Sequence, residues 1–229
     1  MDAIREKILE HYTEHIASSF SCVEILDALY GVTCEPVLTG DDVFILSKGH
    51  AAPALYTILA MKGVLKWSDL KNYTTHCSHL AEGIPFTTGS LGYGLGLGCG
   101  VALAKRLKGE KGLVYVLLGD GELFEGSTWE ARNLAIDLRL ENLIIMLDFN
   151  QKAVYKTVPR FQNELFAGAR SVDGHDLTRV RHELAVVAPF TKIAIFNTIK
   201  GKGIPELEED PLCHLRKIVN GKIIGGKVC

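Results

Sequence analysis

The chain has 229 residues, 47% apolar and 23% charged, the composition of an ordinary globular protein large enough to bury a core. Its 25 basic and 27 acidic side chains give a formal net charge of -2 with no long run of either sign, which argues against a nucleic-acid or anionic-membrane partner. Six scattered cysteines (Cys22, Cys34, Cys77, Cys99, Cys213, Cys229) without zinc-type spacing, a charged start without a secretory leader, and no apolar run of about 18 residues predict a reduced, cytoplasmic protein outside the membrane.

Apolar residues at Ile4, Ile8, Leu9, Tyr12 and Ile16 predict a helix over Ala3 to Ile16, and Cys22 to Tyr30 reads as a second helix capped by Ser21. Val43 to Leu46 is a short buried strand, followed by a Ser47-Lys48-Gly49-His50 turn and a helix from Ala51 to Met61. The glycine-rich stretch Thr87 to Gly100 has linker composition, yet its leucine spacing predicts a tight turn opening a closely packed helix. Gly112 to Leu118 then leads through Gly-Asp-Gly to a helix over Ser127 to Leu138. Leu143 to Leu147 ends in Asp148-Phe149-Asn150, and Ile193 to Asn197 supplies a last strand. The segment from Asp210 to Cys229 is expected to be a hairpin or a loose tail.

Strands alternating with helices, apolar on both faces, predict an α/β fold with a parallel sheet flanked by helices in a single domain over 1–229. Ligands of such sheets gather at the carboxyl ends of strands, so the loops after Leu46, Leu118, Leu147 and Asn197 are the ones to inspect.

Asp120 stands between Gly119 and Gly121 at one such end, and Asn150 ends the next apolar strand 30 positions later. A carboxylate and an amide oxygen presented together suit a hard cation such as Mg2+, and the two glycines let backbone amides approach a diphosphate. A lone Asp-Gly turn is more often plain turn chemistry, so the spacing carries the argument.

The segment GDGELFEGSTWEARNLAIDLRLENLIIMLDFN, from Gly119 to Asn150, resembles the thiamine diphosphate fingerprint, and its ELFEGSTWEA continuation resembles transketolases. LSKGHAAPALYTIL, TTGSLGYGLGLGCGVALA, VDGHDL and TIKGKGIPELEEDPLCH follow in transketolase order, so the resemblance runs nearly the whole chain. It implies the thiamine diphosphate-binding (PP) fold, with Mg2+ held by Asp120, Asn150 and the main-chain carbonyl of Lys152. It further implies cofactor contacts from His50, Gly119, Gly121, Glu122 and His214, and from the Gly89, Ser90 and Leu91 turn, and places His15 facing substrate. A further family histidine matches either His76 or His79. Glu125 matches a glutamate relaying protons at the dimer interface, against a plain reading as a first-turn helix acid.

The glutamate that activates the aminopyrimidine comes, in that family, from a pyrimidine-binding domain for which 229 residues leave no room. The resemblance therefore implies a split transketolase, transferring a two-carbon ketol unit between sugars or sugar phosphates. It would be completed by a separate pyrimidine-domain subunit in an α2β2 heterotetramer. Other expectations are a half-subunit of another thiamine diphosphate enzyme, deoxyxylulose-phosphate synthase-like or 2-oxo acid-processing, or a non-catalytic binding homologue. Departures concern substrate: THCSHLAEGIPF lacks the usual Gly-His-Pro-Glu, and DFNQKAVYKTVPRF lacks the usual small-residue, Asp-Gly-bearing pattern.

Overall fold

Four apolar runs become the strands they predict: β1 (Val43–Leu46), β2 (Val114–Gly119), β3 (Leu143–Phe149) and β5 (Lys192–Asn197). A computed structural model describes residues 2–152, 169–186 and 190–225. Most of the DFNQKAVYKTVPRF segment lies outside them, as does Cys229. The other five cysteines are free thiols.

All pairings in the main sheet are parallel, in the order β1-β2-β3-β5-β4. Side chains alternate between the faces, and the core divides accordingly. Phe44, Leu46, Tyr115, Leu117, Ile144 and Met146 join one apolar cluster, while Ile45, Val114, Val116, Leu118, Ile145 and Leu147 join the other. Each such side chain stabilises the fold by about 1.5–3 kcal/mol on burial. β4 (Arg170–Asp173) escapes the sequence reading because it is a four-residue edge strand without an apolar run.

The first cluster is covered by α1 (Ala3–His11), α2 (Ile16–Phe20), α3 (Val23–Tyr30), α4 (Ala52–Met61) and α7 (Leu177–Ala185). The second is covered by α5 (Gly94–Lys108) and α6 (Gly126–Asp137). The helix expected over Ala3 to Ile16 is broken: α1 stops at His11, and His15 takes a left-handed conformation (φ 56°) before α2 begins. Ser21 does not cap the next helix. Its hydroxyl instead donates to Ser18 O and to Asp148 Oδ2, 2.6 Å away, and Cys22 holds the N-cap position without a side-chain bond. Ala51 belongs to a short 3-10 turn ahead of α4.

The glycines of α5 have a packing reason. A Cβ at Gly94 would stand 2.3 Å from Ser47 Oγ, and one at Gly98 2.3 Å from Val116 Cγ2, so the helix lies closer to the sheet than any side chain permits. Past the short α8 (Pro205–Glu209), β6 (Lys217–Val219) and β7 (Lys222–Ile224) form an antiparallel hairpin. It docks beside the α1–α2 break, where Ile218 N–H donates to Thr13 O at 2.8 Å and Lys217 pairs with Glu14 at 2.5 Å.

Candidate active site

β2 and β3 are neighbours with Gly119 opposite Asp148, so the loops following them emerge side by side. Asp120 Oδ2 accepts the amide of Asn150 at 3.2 Å, and Asn150 Oδ1 accepts the amide of Lys152 at 3.1 Å. The Lys152 side chain turns away and donates to the carbonyls of Leu207, Glu208 and Asp210. Its own carbonyl accepts Lys200 Nζ at 3.1 Å. The identity of residue 152 therefore matters for packing, although only its carbonyl faces the site.

Beneath these loops lies a buried polar frame. Lys48 and Asp148 form an ion pair with side chains 2% and 0% exposed, so water does not screen it. Lys48 also donates to Ser18 O at 3.0 Å and Ser21 Oγ at 3.2 Å, and Thr198 Oγ1 donates to Asp148 Oδ1. Burial alone would lower the Lys48 ammonium, but Asp148 outweighs it and holds the group above its ordinary value. The fully buried Glu122 accepts Ser47 Oγ at 2.5 Å and the amides of Gly92 and Gly119 at 3.0 Å each. It thereby ties the Gly-Asp-Gly turn to the turns after β1 and before α5.

Above the frame opens a cavity of about 290 Å³, lined by His15, Ser18, Lys48, His50, Gly89, Leu91, Gly119, Asp120, Gly121, Glu122, Asn150, Lys152, Lys200 and His214. His15 lies 5.8 Å from His50 and 5.2 Å from His76, ring centre to ring centre. Burial, then Lys48 and Lys200, holds His50 well below the usual imidazole range. Burial, then His76, lowers His15, and burial, then Lys200, lowers His214. These rings favour their neutral, proton-accepting form.

Asp120 is buried, and among the described residues it forms no salt bridge. Burial, then repulsion from Asp148, raises its carboxyl. A buried carboxylate so placed calls for a cation. Carboxylate, amide and main-chain carbonyl oxygens at one edge fit a hard divalent ion. Among the described residues no cluster of three or more His, Cys, Asp or Glu offers a softer alternative. The basic side chains around the opening fit an anion bound with it: Lys200 is 8% exposed, and its only side-chain hydrogen bond among the described residues goes to Lys152 O.

Most of the expected residues therefore converge. His76 reaches the cluster through His15 and packs against Gly89, whose added Cβ would stand 2.8 Å from the imidazole Cδ2. His79 is exposed and bonds through Nδ1 to Thr87 Oγ1 at 2.7 Å, away from the other rings. Ser90 and Glu125 lie outside the cavity lining, with Glu125 packed over Gly92. Sequence reasoning missed Lys48 and Lys200. Both stand in segments already singled out, SKGH and TIKGKG, and basic residues on strand-end loops beside an expected diphosphate were the available signal. A larger depression of about 450 Å³ at the opposite end of the sheet, near Asp42 and Arg181, is less suited to this chemistry, because Thr39 and the Leu113 amide already occupy the Asp42 carboxylate.

A parallel sheet with acidic and amide oxygens at adjacent strand ends, cations beside them and neutral histidines above defines an α/β domain suited to a metal-bound anion. Residues 23–186 match the family "Transketolase, thiamine diphosphate binding domain", and the chain belongs to the transketolase family of transferases. It is 36% identical over 228 residues to one of the subunits of the apulose-4-phosphate transketolase of Actinobacillus succinogenes, covering 87% of this chain and 81% of that protein. The human transketolase is 35% identical over 223 residues, and there the match spans only 36% of the longer protein. The solved transketolase of Campylobacter jejuni superposes with a TM-score of 0.81 at 25% identity, covering 92% of this chain and 38% of that one. No helix among the described residues is long and apolar enough to cross a membrane.

Proposed function

We propose that this chain is the metal- and diphosphate-binding subunit of a two-chain transketolase, which moves a two-carbon ketol unit from a ketose to an aldose. The observation that carries this reading is the meeting of Asp120, Asn150 and the Lys152 carbonyl at one edge of the sheet with Lys200 beside them. In this reading Asp120, Asn150 and Lys152 O hold Mg2+. Lys200 and the Gly121 amide face the diphosphate of thiamine diphosphate, where the absence of a side chain leaves open approach.

When bound, that cofactor supplies the carbon chemistry of ketol transfer. The chain itself supplies binding, orientation and proton transfer. His15, His50 and His76, close together and biased toward neutrality at His15 and His50, accept and return protons of substrate hydroxyls, with His214 on the opposite wall. Two side chains remain outside this cavity: Glu125 is assigned to the proton relay between paired sites, and the glutamate that activates the aminopyrimidine is assigned to a separate pyrimidine-domain subunit. The Actinobacillus succinogenes relative is named as one part of a divided transketolase, and this chain covers 81% of it, which supports the two-chain organisation. An α2β2 assembly pairs two such sites. A cytoplasmic setting completes the proposal.

Mixing this chain with a pyrimidine-domain subunit, Mg2+ and thiamine diphosphate is expected to restore ketol transfer that neither chain shows alone. Full activity from this chain by itself would sink the reading. Within the reconstituted enzyme the two neighbouring histidines separate: His76→Ala is expected to lower kcat about a hundredfold, the scale of one lost acid–base group, and His79→Ala to leave it within about twofold. Steady-state kinetics of the two variants check this, and equal losses would remove His76 from its assigned place.

A further inference from the structure

The loop that carries Lys200 is pinned on both sides of it. Thr198 N–H donates to Phe149 O at 3.0 Å, Ile199 N–H to His175 Nε2 at 2.8 Å, and Gly201 N–H to Ala17 O at 3.0 Å. The middle pin alone is made by a side chain. His175 comes from the VDGHDL turn after β4, a motif without a role in the chemistry above. That turn is itself seated on the end of β5, where Gly174 N–H donates to Asn197 O at 2.7 Å.

A backbone N–H can donate only to an unprotonated ring nitrogen, so Nε2 of His175 carries the lone pair and Nδ1 the proton. Nδ1 lies 2.9 Å from Glu24 Oε2 and donates to it. Glu24 is gripped in turn by Arg5, at 2.8 Å and 2.9 Å, and Arg5 also donates to Phe20 O at 2.8 Å. Burial pushes the Glu24 carboxyl up, and its bonds to His175 and Arg5 outweigh this and hold it ionised. The relay therefore runs from α1 through α3 to the Lys200 loop, with Arg5 fixing Glu24, Glu24 fixing the tautomer of His175, and His175 fixing Ile199.

We infer that His175 is a positioning residue that holds the Lys200 ammonium over the anion site through the Ile199 amide. This rests on the proposed diphosphate role of Lys200. Without the imidazole, the amide next to Lys200 loses its acceptor, and the ammonium loses its fixed place beside the Lys152 carbonyl. The arrangement parallels the outer-shell partners that orient metal ligands, whose removal weakens binding without touching the ion.

The test titrates the purified chain with Mg2+ and inorganic pyrophosphate in a calorimeter, with thermal unfolding recorded for every variant. His175→Ala is expected to weaken pyrophosphate about tenfold, the scale of one hydrogen bond. His175→Gln, which keeps an acceptor for the Ile199 amide, is expected to lose less and carries the test should the alanine variant fail to fold. In a Lys200→Met background, replacing His175 is expected to change affinity no further, because the two act as one unit. Unchanged affinity in the His175 variants, or the same loss in the Lys200→Met background, would overturn the inference while leaving the diphosphate site standing. A wild-type chain blind to magnesium pyrophosphate would remove the proposed site and the inference together.

Discussion

Asp120→Asn is expected to weaken Mg2+-dependent thiamine diphosphate binding by at least about a hundredfold, with ketol transfer of the reconstituted enzyme falling alongside it. The substitution keeps the size of the side chain and an acceptor for the Asn150 amide, and removes only the charge. The same change is expected to raise the melting temperature of the metal-free chain near neutral pH. Burial, then Asp148, raises the Asp120 carboxyl, so the folded chain disfavours its charged form. A raised acid supports folding below its unfolded value, and that support is lost as pH rises through the folded one, so at neutral pH the ionised group opposes folding. Tighter folding with lost metal binding is the signature of a binding residue. A variant that loses stability and binding in parallel would mark Asp120 as a structural turn residue and undo the site. Calorimetric titration and thermal unfolding of the same preparations decide between the two.

The largest effect on stability is expected at Asp148. Asp148→Ala leaves the Lys48 ammonium buried with only Ser18 O and Ser21 Oγ as partners, and deprives Ser21 and Thr198 of a shared acceptor. Removing one member of a buried pair costs about 3–5 kcal/mol, a large part of the roughly 5–15 kcal/mol that holds a domain folded. Replacing both, as Lys48→Met with Asp148→Leu, is expected to recover most of that loss, since apolar groups leave no charge stranded. Urea unfolding of the three chains measures it. Burial pushes the Asp148 carboxyl up, while Lys48 and the two hydroxyls prevail and hold it below its ordinary range. Its contribution is therefore present above the unfolded carboxyl value and is lost as the solution is acidified through the folded one. A double variant as unstable as the single one would show that the hydroxyl bonds, rather than the ion pair, dominate.

The amino-acid sequence is enough to place β1, β2, β3 and β5, because a strand covered on both faces needs an uninterrupted apolar run and few other segments supply one. The Gly-Asp-Gly turn and Asn150 are legible for a related reason: each ends such a run, and neighbouring parallel strands end together. The break at His15 is not legible. The apolar spacing continues through Ile16, while the left-handed residue at 15 follows from contacts of that turn with the hairpin more than 200 positions away, including the Glu14 to Lys217 pair. The edge strand β4 lacks an apolar run and escapes notice.

By itself, then, the chain's residue pattern determined the class of fold, the core faces and the edge at which a cation and an anion would meet. Only the tertiary structure decided that His76 rather than His79 joins the histidine cluster, that Lys48 is neutralised by Asp148 from 100 positions away while Lys200 stays beside the opening, and that Glu122 is a tie between turns. Burial periodicity is a local property, repeated every second or every third to fourth residue, and can be read along the chain. The state of a charge depends on which other charges lie within a few ångströms once water is excluded, and that distance is set only when remote segments pack.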